Sequence, residues 1–208
     1  MEQDLKIKQG SKIEKRRPNY YANVHKALRY ALSTLLIQAG RTCSDQEMSA
    51  EVFFFLNFHA ENENLDLLPA LANVEPHIVT KDNDEHHKLE ELAESIKDRL
   101  ENFPLNEEEN WNWYLDLSRY VAFQLEHMGR EERETLTALH KHFSDEEIAG
   151  FGARSVTRAT QEERTLMLGW MFRALNPEES EEYLEKLKSV VPQEAFAEIL
   201  KLKQNRTD

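Results

Sequence analysis

Cysteine occurs once in the 208 residues, at Cys43, so the chain forms no internal disulfide and offers no thiolate cluster to a metal. Glycine and proline are scarce, with 6 of each. A protein of many strands and tight turns needs more of both, so the balance favours helices. Positive charge is also in deficit, the formal net charge being −13. That argues against a general nucleic-acid binder, because phosphate contacts require clustered Lys and Arg. The one basic stretch, KIEKRRP, reads as a solvated arm. No run approaches the roughly 18 uncharged apolar residues of a membrane helix, and MEQDLKIKQGSK is too charged for the apolar part of a signal peptide. These absences lead us to expect a cytoplasmic protein with neither nucleic acid nor membrane as partner. They name no protein partner.

What the chain does have is helical periodicity. It predicts a first helix from about Asn19 to Ala39, closed by Gly40. A second opens at the capping box SDQE (Ser44 to Glu47) and ends near Pro69 or Leu71. NVEPHIVTKDND reads as a connection, a third helix covers about Asp84 to Leu100, and a fourth runs from Glu107 to about His140. Beyond it, SDEE (Ser144 to Glu147), TQEE (Thr160 to Glu163) and NPEE, with Asn176 as cap and Pro177 in the first turn, start shorter helices. The expected fold is all-α: an up-down-up-down four-helix bundle with additional C-terminal helices. Residues 1–17 form a flexible N-terminal arm, 18–142 the bundle, and 143–208 an extension packed on it.

Four inward stripes carry titratable groups. In FHAENENL, His59 and Glu63 are four residues apart and share a face with Val52 and Phe55. The fourth helix repeats the spacing at His127 and Glu131, on the stripe of Trp113, Leu117, Tyr120, Gln124 and Ala138. His25 lies with Leu28, Leu32, Leu35 and Ala39. His86 lies with Leu89, Ala93, Ile96 and Leu100, whereas neighbouring His87, the fallback ligand, shares a polar face with Glu90, Glu91, Glu94 and Asp98. Burying six such groups costs several kcal/mol each, typically, unless something offsets it. A cation does so. Imidazole and carboxylate without thiolate suit iron, zinc or manganese. Two glutamates able to bridge, with two imidazoles per ion, describe a pair of adjacent metals.

The ordered set His, HxxxE, His, HxxxE resembles the hemerythrin-like HHE cation-binding family, on NVHKALRYAL, HAENENLDLLPAL, EHHKLEEL and HMGREERETL. WMFRALNPEE and VPQEAFAEILKL are similar to the C-terminal extension of many bacterial members, so the likeness spans residues 18 to 205. It implies a di-iron centre of two Fe ions, with zinc or manganese as substitutes. His25, His59, His86 and His127 would be terminal ligands, with Glu63 and Glu131 bridging. The partner implied is dioxygen, nitric oxide or peroxide, bound or sensed; a peroxide- or nitric-oxide-consuming enzyme, or an iron- or redox-responsive interaction protein, is the alternative. Oxygen-carrying members place a fifth histidine four residues before the third-helix one, where this chain has Asp82. Iron-sensing members carry Glu after the second-helix histidine, where this chain has Ala60. The first departure favours sensing or peroxide chemistry over stable oxygen transport. A ferritin-like site needs Glu-x-x-His pairs, and none of the eight histidines has Glu three residues before it.

The remaining candidates read as structural. Trp111, Trp113, Tyr114 and Tyr120 are expected in the core or as anchors, with Tyr120 and Gln124 placed to hydrogen-bond near the metals. His77, His140 and His142 read as surface or loop residues, Glu61, Glu90, Glu91, Glu132 and Glu134 as solvated faces, and Cys43 as an ordinary thiol.

Overall fold

A computed structural model describes residues 17–42, 46–101 and 105–204, and every regular element among them is helical. α1 spans Ala22–Thr42, α2 Gln46–Asn62, and a π-helical turn Glu63–Leu67 leads into the short α3, Leu68–Leu71. Then follow α4 (Pro76–Leu100), α5 (Glu107–Arg133), α6 (Thr135–His142), α7 (Asp145–Arg158), α8 (Gln161–Ala174), α9 (Pro177–Lys188) and α10 (Gln193–Gln204).

Capping explains most of the starts. Asn19 Oδ1 accepts from the amides of Tyr21 and Ala22, both at 3.0 Å, so it caps α1 from just outside. Ser144, Thr160 and Asn176 each close the reciprocal box expected of them, and Asn106 with Glu109 adds a fourth at the head of α5. Ser44, the expected cap of the SDQE box, and Cys43 lie outside the described residues, as does the expected arm up to residue 16. Arg17 is described, and it donates to Asp145 Oδ1 at 2.6 Å and to the Phe143 carbonyl at 2.7 Å.

Three boundaries differ from expectation. Gly40 does not end α1; it sits inside the helix, where a β-carbon would meet the Tyr114 ring at 3.4 Å. The connection before the third helix is itself helical, because Pro76 occupies the first turn of α4, where a missing amide does no harm. Asp82 is thereby on the helix. The fourth helix bends at Glu134, whose φ of −91° and ψ of −57° depart from the ideal while its amide still reaches the Arg130 carbonyl at 2.7 Å. α6 follows as a separate helix.

α1 packs against α2, α5 and α8, α4 packs against α5 and α2, and α10 covers α8. Two apolar clusters result. The larger takes Leu28, Leu32, Phe55, Leu89, Leu117 and Tyr120 together with Leu168 and Trp170 of α8. The smaller takes Tyr21, Leu67, Leu71, Ile78, Leu139 and Phe151. Trp113 is buried, with Nε1 donating to the Ile96 carbonyl at 3.3 Å. Trp111, expected as core or anchor, is 59% exposed because it lies on the outer face of α5. No helix among the described residues is long and apolar enough to cross a membrane.

Removing the Asn106 cap should cost about 1 kcal/mol. Chemical denaturation of Asn106→Ala should show a lower midpoint at an unchanged slope, the shift multiplied by the slope giving about that energy.

Candidate metal centre

Each of the four long helices passes from one apolar cluster to the other, and each changes character at the same level. On α1, Tyr21 belongs to the smaller cluster and Leu28 to the larger, with His25 between them. On α2, Phe55 and Leu56 precede His59 and Glu63, and Leu67 follows. On α4, Ile78 lies on one side and Leu89 on the other of Asp82, Glu85 and His86. On α5, Tyr120 and Val121 precede His127 and Glu131, and Ala138 and Leu139 of α6 follow. A polar layer is thus enclosed between two apolar ones.

All six predicted residues are brought together in that layer. His25, His59, Glu63, His127 and Glu131 are buried, and the His86 side chain is 9% exposed. His25 Nε2 lies 3.0 Å from His59 Nε2 and 3.4 Å from Glu131 Oε2. His59 Nε2 is 3.6 Å from Glu63 Oε2, which is 3.4 Å from His86 Nε2. His127 Nε2 is 3.2 Å from Glu131 Oε1, itself 3.9 Å from His86 Nε2. The donors fall into two sets, His25/His59/Glu63/Glu131 and Glu63/His86/His127/Glu131. Within each, the ligand atoms lie within 4.8 Å of one another, and both glutamates belong to both sets.

The π-turn helps to place Glu63. An extra residue in the turn widens the helix, and such bulges occur frequently at functional sites. Glu63 opens it, buried, while Asp66 on its outer side accepts from Arg154 Nε at 2.8 Å and from Arg158 at 2.6 Å.

The outward ring nitrogens are held by a second set of residues. His25 Nδ1 lies 3.0 Å from Glu132 Oε1, and Arg29 donates to the same carboxylate at 2.6 and 3.1 Å. His127 Nδ1 lies 2.7 Å from Glu85 Oε2, to which Arg130 Nε donates at 2.8 Å. His86 Nδ1 faces Asn64 Oδ1 at 3.1 Å. A carboxylate beside Nδ1 fixes the proton there and leaves Nε2 with its lone pair turned inward, the tautomer a metal needs.

Glu132 was expected on a solvated face. It is half-buried because α5 packs on α1, and Glu85 was not foreseen at all; cross-helix partners leave no signature in local spacing. Tyr120 and Gln124 are buried, but no hydrogen bond among the described residues joins either to the six. Asp82 is fully buried and ion-paired with Arg130, and Thr135 Oγ1 donates to its Oδ2 at 3.3 Å. It therefore serves the α4–α5–α6 packing. His87, the fallback ligand, is 74% exposed beside Glu91, since it follows the solvated face of α4. His77 is exposed, and His140 and His142 bond to the Pro18 carbonyl and Glu75.

The residues fit a cation. Both Glu63 oxygens, Glu131 Oε2 and His86 Nε2 are enclosed without a hydrogen-bond partner, an arrangement that costs free energy unless a positive charge fills it. His25 Nε2 and His59 Nε2, 3.0 Å apart, share at most one proton without an ion, and both could turn a lone pair to a cation. Bonds of about 2.1 Å to a shared ion place neighbouring donors about 3.0 to 3.4 Å apart, close to the separations above. Comparison with protein-family models, curated proteins and solved structures finds no match to this chain. On its own residues, the buried His/Glu cluster could hold a metal ion.

Without an ion the layer must settle its charge by proton sharing. Burial drives His59 down to about 3 in spite of Glu63 beside it. Burial also opposes a charged His127, but Glu131, Glu85 and Glu63 outweigh it and raise the imidazole to about 9. Burial and the Glu63 charge push Glu131 up, while the imidazoles of His59, His86 and His25 overcome burial to hold Glu63 below the ordinary carboxylate range. The Tyr21 phenol is raised well above its usual value by burial and then by the Glu63 and Glu131 carboxylates.

Two predictions follow from this geometry. A divalent ion must displace the proton from His127, so binding should release protons at neutral pH and weaken as the pH falls below about 9; indicator-dye titration in weak buffer measures both. Glu132→Gln and Glu85→Gln should each lower metal affinity about 10- to 100-fold in chelator competition. Glu134→Gln, on the surface beside Lys81, should leave it unchanged.

Proposed function

We propose that this chain is a hemerythrin-like HHE protein. In this reading α1, α2, α4 and α5 form a four-helix bundle of alternating direction that holds two iron ions, and the protein binds or senses dioxygen or a related small molecule such as nitric oxide or peroxide. One observation carries it: two sets of donors, each with two imidazoles, share the same two carboxylates. His25 and His59 would hold one ion, His86 and His127 the other, and Glu63 and Glu131 would bridge. Alternating direction is supported by the order of the apolar clusters, which reverses from each of these helices to the next.

Iron is preferred because carboxylate-bridged pairs in helical bundles are typically iron or manganese; zinc would satisfy the same donors. Bound iron supplies a redox-active cation with room in its shell for a small ligand. The protein's own part is to present the lone pairs and exclude water. Glu132 and Glu85 keep His25 and His127 in the required tautomer, and the apolar layers on either side shield whatever enters. Four imidazoles rather than five leave more of the ions' surroundings to an incoming molecule. This favours sensing or scavenging over reversible carriage.

Protein produced with ferrous iron should contain about two metal equivalents per chain, and admission of air should give a visible absorption band. His127→Ala or Glu63→Ala should lose both metal and band. A protein that stays colourless, with under about a tenth of an equivalent of any metal, would remove the di-iron reading.

A further inference from the structure

Tyr21 immediately precedes α1 and lies one turn before His25. Its ring rests on the His25 imidazole, with centroids 4.6 Å apart and planes at 33°, and meets the His59 ring edge-on at 6.4 Å. The side chain is fully buried, yet its hydroxyl has no hydrogen-bond partner among the described residues. A buried O–H left unsatisfied is costly and uncommon. Tyr20 meets the ring edge-on at 5.1 Å, and the cluster is otherwise apolar, with Leu67, Leu71, Ala138 and Leu139. The charges that act on the hydroxyl most strongly are those of Glu63 and Glu131, in the polar layer.

Glu63 and Glu131 cannot be assumed to serve, since their oxygens are the ones that a bound ion would claim. His25 is likewise committed, with Nδ1 on Glu132 and Nε2 facing His59. The symmetry of the donors also fails here in an informative way. The His86/His127 set has its two rings packed on each other at 4.9 Å, and among the described residues no ring contact brings a tyrosine onto either. Only the His25/His59 set has a phenol laid over it.

We infer that the Tyr21 hydroxyl is the hydrogen-bond donor for a small anionic ligand taken up at the His25/His59 side of the metal centre. The inference rests on the metal-binding reading above and deepens it by naming a residue, outside the six donors, that would touch the bound ligand. A donor that stays unpaired until the ligand arrives contributes its full hydrogen bond to ligand capture and nothing to holding the ion. Tyr21 is thus a ligand-binding residue, separate from the six that hold metal.

Azide on the ferric-loaded protein is the probe. Tyr21→Phe keeps the ring and its packing, so metal content should stay at the wild-type value while the azide dissociation constant rises about tenfold, the usual loss for a hydrogen bond to a charged group. The azide stretching frequency should shift, and its sensitivity to deuterated solvent should disappear. Tyr20→Phe, whose ring packs edge-on against Tyr21 and Phe151, should match wild type on every count. Unchanged azide affinity and frequency in Tyr21→Phe would overturn the inference and leave the metal centre standing. So would loss of metal by that variant, since the phenol would then be holding the ion. Failure of the wild-type protein to take up iron would instead remove the functional reading and this one with it.

Discussion

Two carboxylates and four imidazoles share one buried level of the protein, with apolar side chains above and below. That is the constraint on which everything else turns. Neutral histidines beside two ionised glutamates leave two negative charges in a low-dielectric space, and the penalty for uncompensated buried charge is several kcal/mol, roughly, per group. Protonating an imidazole relieves part of it, and His127 takes that role in the absence of metal. Divalent cations relieve all of it. The layer is therefore built at the expense of the unloaded fold, a sign that its residues serve binding.

Outside the inner donors the charges alternate in shells. Glu132 and Glu85 sit behind His25 and His127, and Arg29 and Arg130 sit behind those glutamates. Each ring sees a carboxylate strong enough to fix its tautomer, while the arginine spares that carboxylate from standing unpaired. Burial opposes the charge on Glu85, and Arg130 and His127 more than compensate, holding its carboxyl low. The arrangement keeps the second set of glutamates ionised, so each holds an Nδ1 proton outward and turns the Nε2 of its ring toward the metal position.

The stripes were legible because helical spacing projects residues three and four apart onto one face. His25 with Leu28 and Leu32, or His86 with Leu89 and Ala93, identify themselves by their company, and so did the exclusion of His87 by its acidic neighbours. Caps were legible for the same local reason. What could not be read was whatever depends on two helices meeting. Glu132 looks solvated on its own helix and becomes a partner of His25 only when α5 lies against α1. Asp82 looked like part of a connection because Asn83 and Asp84 suggest a turn. A proline-started helix that buries Asp82 against Arg130 overrode that local signal. Nor does any spacing rule announce the π-turn at Glu63, since the surplus residue appears only as a stripe that slips from Glu63 to Leu67, Leu68 and Leu71.

That slip gives the C-terminal helices a physical role near the centre. A π-turn strains the ladder of backbone hydrogen bonds and persists where its surroundings hold it. Here the hold comes from α7. Arg158 donates to Asn62 Oδ1 and to Asp66 Oδ2, each at 2.6 Å, and Arg154 donates to Asp66 Oδ1, so the residue before the widened turn and one within it are pinned by one helix. Exposed ion pairs alone contribute little, but these are anchored: Phe151 of the same helix packs in the apolar cluster with Leu67 and Leu71. The apolar contact fixes the distance between α7 and the turn, and the arginines fix its orientation. Glu63, lying between Asn62 and Asp66, inherits both. The orientation of a carboxylate shared by both donor sets is therefore set in part by α7, a helix that contributes no donor to either set.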